Sequence, residues 1–221
     1  MAENPEKITL EDVARLIEDK SSGAKIEVAN KIARQYKSKG FTPEQLRLAE
    51  QIFRLLLRDA EVYVRKILSE NLKDINNVPK DVVLNLAKDV AEVSIPVLEF
   101  SEVLNDNDLV AIINGTMEAA KHVAVTHRKS LNALVSDALV DTKNPEVIEE
   151  LLHNQNAAIN SDSFNKIIKE FPGNLHLIEQ VIDHKSITVE VTEKILEKVS
   201  AAIKDQLEVK YKGQLGKIDE V

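Results

Sequence analysis

The chain has no cysteine and no tryptophan, and aromatic residues fill only 4% of its 221 positions. The first absence excludes disulfides, thiolate metal centres and cysteine nucleophiles, and it suits a reducing compartment. The second leaves an aliphatic core of Leu, Ile, Val and Ala, which suits helix-on-helix packing better than a β-sandwich. Glycine is sparse as well. Gly23, Gly40, Gly115, Gly173, Gly213 and Gly216 stand apart, so no loop gathers backbone N–H groups around a phosphate. No serine sits between glycines on a strand-to-helix turn, the arrangement a nucleophile elbow requires. No apolar run approaches the ~18 residues of a bilayer span. Met1 to Leu10 lacks the basic-then-apolar order of a secretory signal. Together these absences point to a cytoplasmic protein without a membrane span, in which the Asn114-Gly115-Thr116 sequon is accidental.

What is present is enough to fold. The chain is 43% apolar and 30% charged, with mean hydropathy −0.20, so it can bury a core. Its formal net charge is −8, and the charge is uneven. Residues 1–58 carry 11 basic and 9 acidic side chains, whereas residues 59–221 carry 18 and 28. An acidic exterior keeps a protein soluble and disfavours nucleic acid, which needs surplus Lys and Arg against its phosphates.

A helical pattern recurs every 26 to 31 residues from Asp59 to about Ser200. One helix per unit ends in an apolar pair and then a polar residue. The series runs Ile67-Leu68 with Asn71, Val97-Leu98 with Ser101, and Ala124-Val125 with His127-Arg128. It continues with Leu151-Leu152 and Asn154, then Val181-Ile182 and His184. A second helix follows each time, around Val83/Leu86, Val110/Ile113, Val135/Leu139, Phe164/Ile168 and Val191/Ile195. A unit this short is one helical hairpin, which buries its apolar face only by stacking on its neighbours. The expected fold is all-α: an α-solenoid of about five hairpins.

Three helices precede the repeats and are expected to cap their open end. Thr9 with Asp12 opens the first. The second runs from about Ala24 to Ser38 and stops at Gly40. Thr42-Pro43 starts the third, with proline where its missing N–H costs nothing. The expected division is a helical cap over 1–58, repeats over 59–200, and the end of a long last helix with a frayed tail over 201–221, all one continuous unit. That last helix is expected over about Thr188 to Lys212, with Val191, Ile195, Val199, Ala202 and Ile203 on one face. Pro96 falls inside a helical pattern, either in a first turn or at a kink that a packed neighbour tolerates.

Few residues invite a chemical reading. His122 and His127 are five apart and splay, unlike the i, i+4 pair of a helical zinc site. His127, Asn154 and His184 hold equivalent positions in successive repeats, with Asn71 before them. They read as a polar ladder bonding backbone carbonyls at hairpin turns. Glu149-Glu150 and Asp106/Asp108 are adjacent carboxylates rather than a pair set across a cleft. Lys31, Arg34 and Lys37, continued loosely by Arg54, Arg58, Arg65 and Lys66, make a basic stripe without interleaved aromatics. The solvated-face reading is favoured for it over an anion-binding one. No catalytic, cofactor-binding or metal-binding residue is assigned.

Several stretches resemble a known family. They are Thr9-Leu-Glu-Asp-Val13; Thr42-Pro-Glu-Gln45 with Ile52 and Leu55-Leu-Leu-Arg-Asp59; and Val62-Tyr-Val-Arg65. Pro79-Lys-Asp-Val-Val-Leu-Asn-Leu-Ala-Lys-Asp89, Pro96-Val-Leu-Glu-Phe-Ser101, Leu104, Asp108-Leu-Val110 and His127-Arg128 continue the series. Over roughly residues 9–160 the chain is similar to an alphaproteobacterial HEAT-like family, domain of unknown function family 2336. Ile95 stands where that family often has Arg or a small residue, and the match weakens after Phe171. The resemblance implies a HEAT-like helical solenoid in a bacterial cytosol and brings no activity with it.

The reading that follows is a non-enzymatic scaffold or adaptor that binds a protein or peptide, with no cofactor. Its expected partner surface comprises the second-helix residues opposite the apolar stripe: Asp81, Asn85, Lys88, Asp108, Ser136, Asp137, Lys166, Glu193 and Glu197. The alternative is a nucleic-acid-binding or DNA-processing HEAT-like protein, opposed by the acidic repeats. Self-association into a homodimer is a third possibility.

Overall fold

A computed structural model of the chain describes residues 8–197, apart from 20, 39–40, 60 and 196. The stop at Gly40, the last helix beyond residue 197 with Val199, Ala202 and Ile203, and the tail to Val221 lie outside the described residues. Within them the fold is all-helical, with no strand and one isolated bridge between Leu131 and Ala157.

Twelve helices follow one another. They are α1 (Leu10–Glu18), α2 (Ser22–Ser38), α3 (Pro43–Leu56), α4 (Val62–Leu72), α5 (Lys80–Lys88) and α6 (Ala91–Phe100). Then come α7 (Asp106–Asn114), α8 (Ala119–Thr126), α9 (Ala133–Asp141), α10 (Pro145–His153), α11 (Ser161–Glu170) and α12 (Leu175–Asp183). The chain is helical again at 189–195. It forms two compact units, Met1–Arg128 and Lys129–Val221.

Local chemistry fixes most helix starts. Thr42 and Gln45 close a reciprocal capping box with Pro43 at the first helical position of α3. Asn105 and Asp108 do the same for α7. Asn132, Asn144, Asn160 and Asn174 each accept a first-turn N–H of α9, α10, α11 and α12. The starts of α4, α6 and α8 have no side-chain cap.

In the first unit α2, α4, α6 and α8 pack successively in one row, with α5 and α7 packed together behind it. Paired residues show that the row is parallel. Lys25 near the start of α2 meets Asp59 just before α4, while Lys37 at the end of α2 meets Asp74 just past α4. Arg65 near the start of α4 meets Asp89 before α6, while Asn76 past α4 meets Glu102 past α6. Every second helix therefore runs the same way, as stacked hairpins require. The core fills from side chains three or four residues apart: Val64, Leu68 and Leu72 on α4, Val93 and Val97 on α6, and Val82, Val83 and Leu86 on α5 are all buried. Burying each stabilises the fold by about 1.5–3 kcal/mol before entropy is counted.

The second unit repeats the scheme. Its α9 packs on α11, and α10 packs on α12. Val135, Leu139, Ile148, Leu151, Phe164, Ile168 and Val181 form its interior, with Val191 and Ile195 from the following segment.

Three expectations shift in detail. Pro96 lies in the interior of α6, five residues past Ala91, and is buried. The first-turn reading therefore fails. The packed-neighbour reading agrees with α4 and α8, which both pack on α6. Ile182, expected inward beside Val181, is instead 43% exposed. Helix α2 starts at Ser22, two residues earlier than expected, and heads the row continued by α4.

Candidate functional site

Polar contacts one repeat apart dominate both units. Along the helix starts of the first unit runs a chain of alternating charge. Lys25 reaches Asp59 at 2.6 Å. Arg65 donates through Nη1 to the Asp59 carbonyl at 2.6 Å, and through Nε and Nη2 to both Asp89 oxygens at 2.6 and 2.9 Å. The Arg65 hydrogen bond holds the Asp89 carboxyl below the usual carboxylate range against the opposing effect of burial, with Lys121 adding to it. Burial pushes Asp59 the other way, but hydrogen bonds from Lys25 and the Glu61 N–H leave it lowered. Lys121, with its side chain only 6% exposed, pairs with Glu118 at 2.8 Å.

At the opposite helix ends the polar ladder takes shape. Asn71 donates to Ile67 O and to Asn30 Oδ1. Arg128 donates to Leu98 O at 2.7 Å and Ser101 O at 2.8 Å, one repeat back. In the second unit His184 is buried, and its Nε2 faces Asn154 O at 3.3 Å. Two of the expected rungs therefore match the ladder reading. The His127 rung does not: His127 is exposed, and its neighbour Arg128 makes the backward contact. Adjacent residues point about 100° apart on a helix, so a one-residue offset in sequence equivalence moves the role.

The expected partner residues belong largely to the same internal pairing. Asp81 receives Arg54 in a bidentate pair, Nε at 2.8 Å and Nη2 at 3.1 Å. Asn85 donates to Asp81 O one turn back. Asp108 caps α7 and pairs with Lys80 at 2.7 Å. Asp137 accepts from Ser163 Oγ and Lys166, and Lys166 also reaches Asp141. Lys88, Glu193 and Glu197 are exposed. Ser136 is a correction: it is fully buried, with its hydroxyl unbonded, because it sits on the core side of α9 beside Val135. The nine residues thus lie mostly along seams between hairpins.

The basic stripe dissolves in the same way. Lys31 is held by both oxygens of Asp12, Lys37 by Asp74, Arg54 by Asp81 and Arg65 by Asp89. Of the carboxylates weighed for catalysis, Glu149 meets His176 at 3.2 Å on the exposed faces of α10 and α12. Beside them Gln180 bridges His153 and His176. His122 is buried with Nε2 on Ile113 O. No group of three or more His, Asp or Glu among the described residues could hold a metal ion. A recess of about 250 Å³ in the second unit has Val140, Ile148, Ile167 and Phe171 at its base. Its rim charges pair with one another as Lys166–Asp141 and Lys143–Glu170. It places no nucleophile beside a base.

One feature of the first unit stays outside this pairing, and sequence reading missed it. Tyr63, Val90 and Met117 stand at the starts of α4, α6 and α8, spaced by 27 residues each time. They are 59%, 47% and 97% exposed. Exposed Glu61, Glu92 and Glu118 lie within two residues of them. Their recurrence was visible as a 27-residue spacing. Its meaning was not, since an apolar residue at a helix start reads as core until the burial is known.

The packing and the rungs define a helical-repeat protein. The chain belongs to the bacterial family described as an uncharacterised protein conserved in bacteria, domain of unknown function family 2336, which matches residues 93–221. The match begins after the N-terminal stretches quoted for the resemblance and continues past residue 160. Neither a curated protein nor a solved structure matches the chain. No helix among the described residues is long and apolar enough to cross a membrane.

Proposed function

We propose that this chain is a non-enzymatic, cytoplasmic scaffold that binds a protein or peptide through the edge formed by the starts of α4, α6 and α8. One observation carries the reading. An exposed apolar side chain recurs at the same place in three successive hairpins, while the charges between hairpins are engaged with one another. Single exposed apolar residues are ordinary, but a regular row of them is what an extended docking surface offers.

Peptide display on the immobilised full chain tests this reading. Enrichment of peptides that compete with one another for the chain supports it. No enrichment, together with salt-sensitive retardation of duplex DNA in a gel shift, overturns it in favour of nucleic-acid binding. Light scattering over a concentration series, showing a dimer that the Tyr63→Ser/Met117→Ser variant dissociates, assigns the edge to self-association instead.

A further inference from the structure

The apolar row has a spacing, and the spacing selects a ligand geometry. Helices α4, α6 and α8 pack side by side and parallel, and packed helices lie about 8–10 Å apart. Tyr63, Val90 and Met117 therefore form three apolar steps of that size along one edge. A flat β-strand does not fit it, because residues on one face recur about every 6.6 Å and the third residue points away. A polyproline II segment does fit. It turns once per three residues at ~3.1 Å each, so positions i, i+3 and i+6 share one face about 9.3 Å apart. Such a segment also brings little conformational entropy to lose on binding.

The charge on the same edge sets the sign of the ligand. Glu61, Glu92 and Glu118 are exposed beside the three apolar steps. Glu118 holds Lys121, whereas Glu61 and Glu92 make no ion pair among the described residues. All three lie at helix starts, where a negative charge is favourable whatever binds. Their carboxylates still leave the edge acidic, with exposed Arg58 in the loop before α4 as a counterweight. A second copy of this edge would set carboxylates against carboxylates, and anionic lipid or nucleic acid would be repelled likewise.

We infer that this edge docks a basic polyproline II segment of a partner protein, with an apolar side chain at every third position seated on Tyr63, Val90 and Met117. The inference rests on the scaffold reading above and adds the chemistry of the partner.

Fluorescence anisotropy with a labelled twelve-residue peptide, Leu-Pro-Lys repeated, tests it on the full chain. The comparison peptides are a permutation with leucine at every second position and a version with Glu for Lys. Saturable binding of the first peptide is expected, weaker by about tenfold or more for either comparison peptide. The Tyr63→Ser/Val90→Ser/Met117→Ser variant should lose about tenfold or more in affinity, as three apolar contacts would. Glu61→Lys/Glu92→Lys should do the same while leaving the Lys121–Glu118 pair intact. A Leu134→Ser/Leu175→Ser variant, altered at exposed apolar residues of the second unit, should bind unchanged.

Equal binding of the permuted peptide, or affinity untouched by both edge variants, overturns the inference. If display enriches peptides whose capture survives both edge variants, the inference fails while the scaffold reading stands. If display enriches nothing and the Leu-Pro-Lys peptide does not bind, both fail.

Discussion

Replacing His184 by alanine should weaken the second unit in a way that depends on pH. The ring is fully buried between hairpins, with Nε2 at 3.3 Å from Asn154 O and Nδ1 accepting the Ser186 N–H at 3.2 Å. These partners define the neutral tautomer that donates from Nε2. Its edge contact with Phe164 has ring centroids 5.7 Å apart. Two neutral hydrogen bonds contribute ~1 kcal/mol each, and the lost ring leaves a small void worth about 1 kcal/mol more, so the expected cost is ~3 kcal/mol. Protonation removes the Nδ1 lone pair that Ser186 uses. Burial holds the His184 pKa below its ordinary 6.5, with Lys185 pushing the same way and the Asn154 bond opposing. The folded value is therefore the lower one. The contribution is fully present above the unfolded value and is lost as pH falls through the folded value. Hydrogen exchange read on peptides spanning residues 150–187, for wild type and variant at about pH 7.5 and pH 5, isolates this difference, since other titrating groups are common to both proteins. The cost should be large at the higher pH and clearly smaller at the lower. An equal cost at both, or one below ~1 kcal/mol at neutral pH, would refute the neutral-rung reasoning.

Removing the guanidinium in Arg65→Met should cost about 2 kcal/mol, less than the ~3–5 of a fully buried pair because both side chains keep some exposure. In a double-mutant cycle with Asp89→Asn the two losses should not add. Because the Asp89 pKa is held below its ordinary 3.8, the pair's contribution should persist at neutral pH and vanish as acid brings the carboxylate through its folded value. Arg128→Met should cost about 3 kcal/mol in urea unfolding, by stripping Leu98 O and Ser101 O of a charged donor. Arg128→Lys should recover part of that loss, since a single ammonium cannot span both carbonyls as the fork does.

The sequence disclosed what local chemistry dictates. Thr42-Pro43 announced α3 because a hydroxyl cap and an N1 proline act within four residues, and the apolar pairs announced the hairpins because stacking repeats their spacing. His184 was legible as a rung because its equivalence to Asn154 held. Arg128 was not, because equivalence read by eye slipped by one residue. Asp59 and Asp89 looked like ordinary loop acids. Their partners Lys25 and Arg65 lie 34 and 24 residues earlier, and nothing local ties such distant charges together. Ser136 was placed on the outer face by a helical wheel, but α9 turns that side toward its neighbour. The second-helix charges were read as outward-facing, and the structure shows that an exposed charge at a hairpin seam is often bonded to the next hairpin.

The uneven distribution of helix caps has a consequence for how the hairpins open. Helices α9 to α12 each begin with an asparagine that ties the first turn to the preceding loop. The starts of α4, α6 and α8 lack such a tie and depend on the neighbouring helix through Asp59, Asp89 and Glu118. Fraying in the second unit can thus stop at each helix. In the first unit the loosening of one turn releases the counter-ion of the next, so its edge opens as a zipper rather than as independent ends.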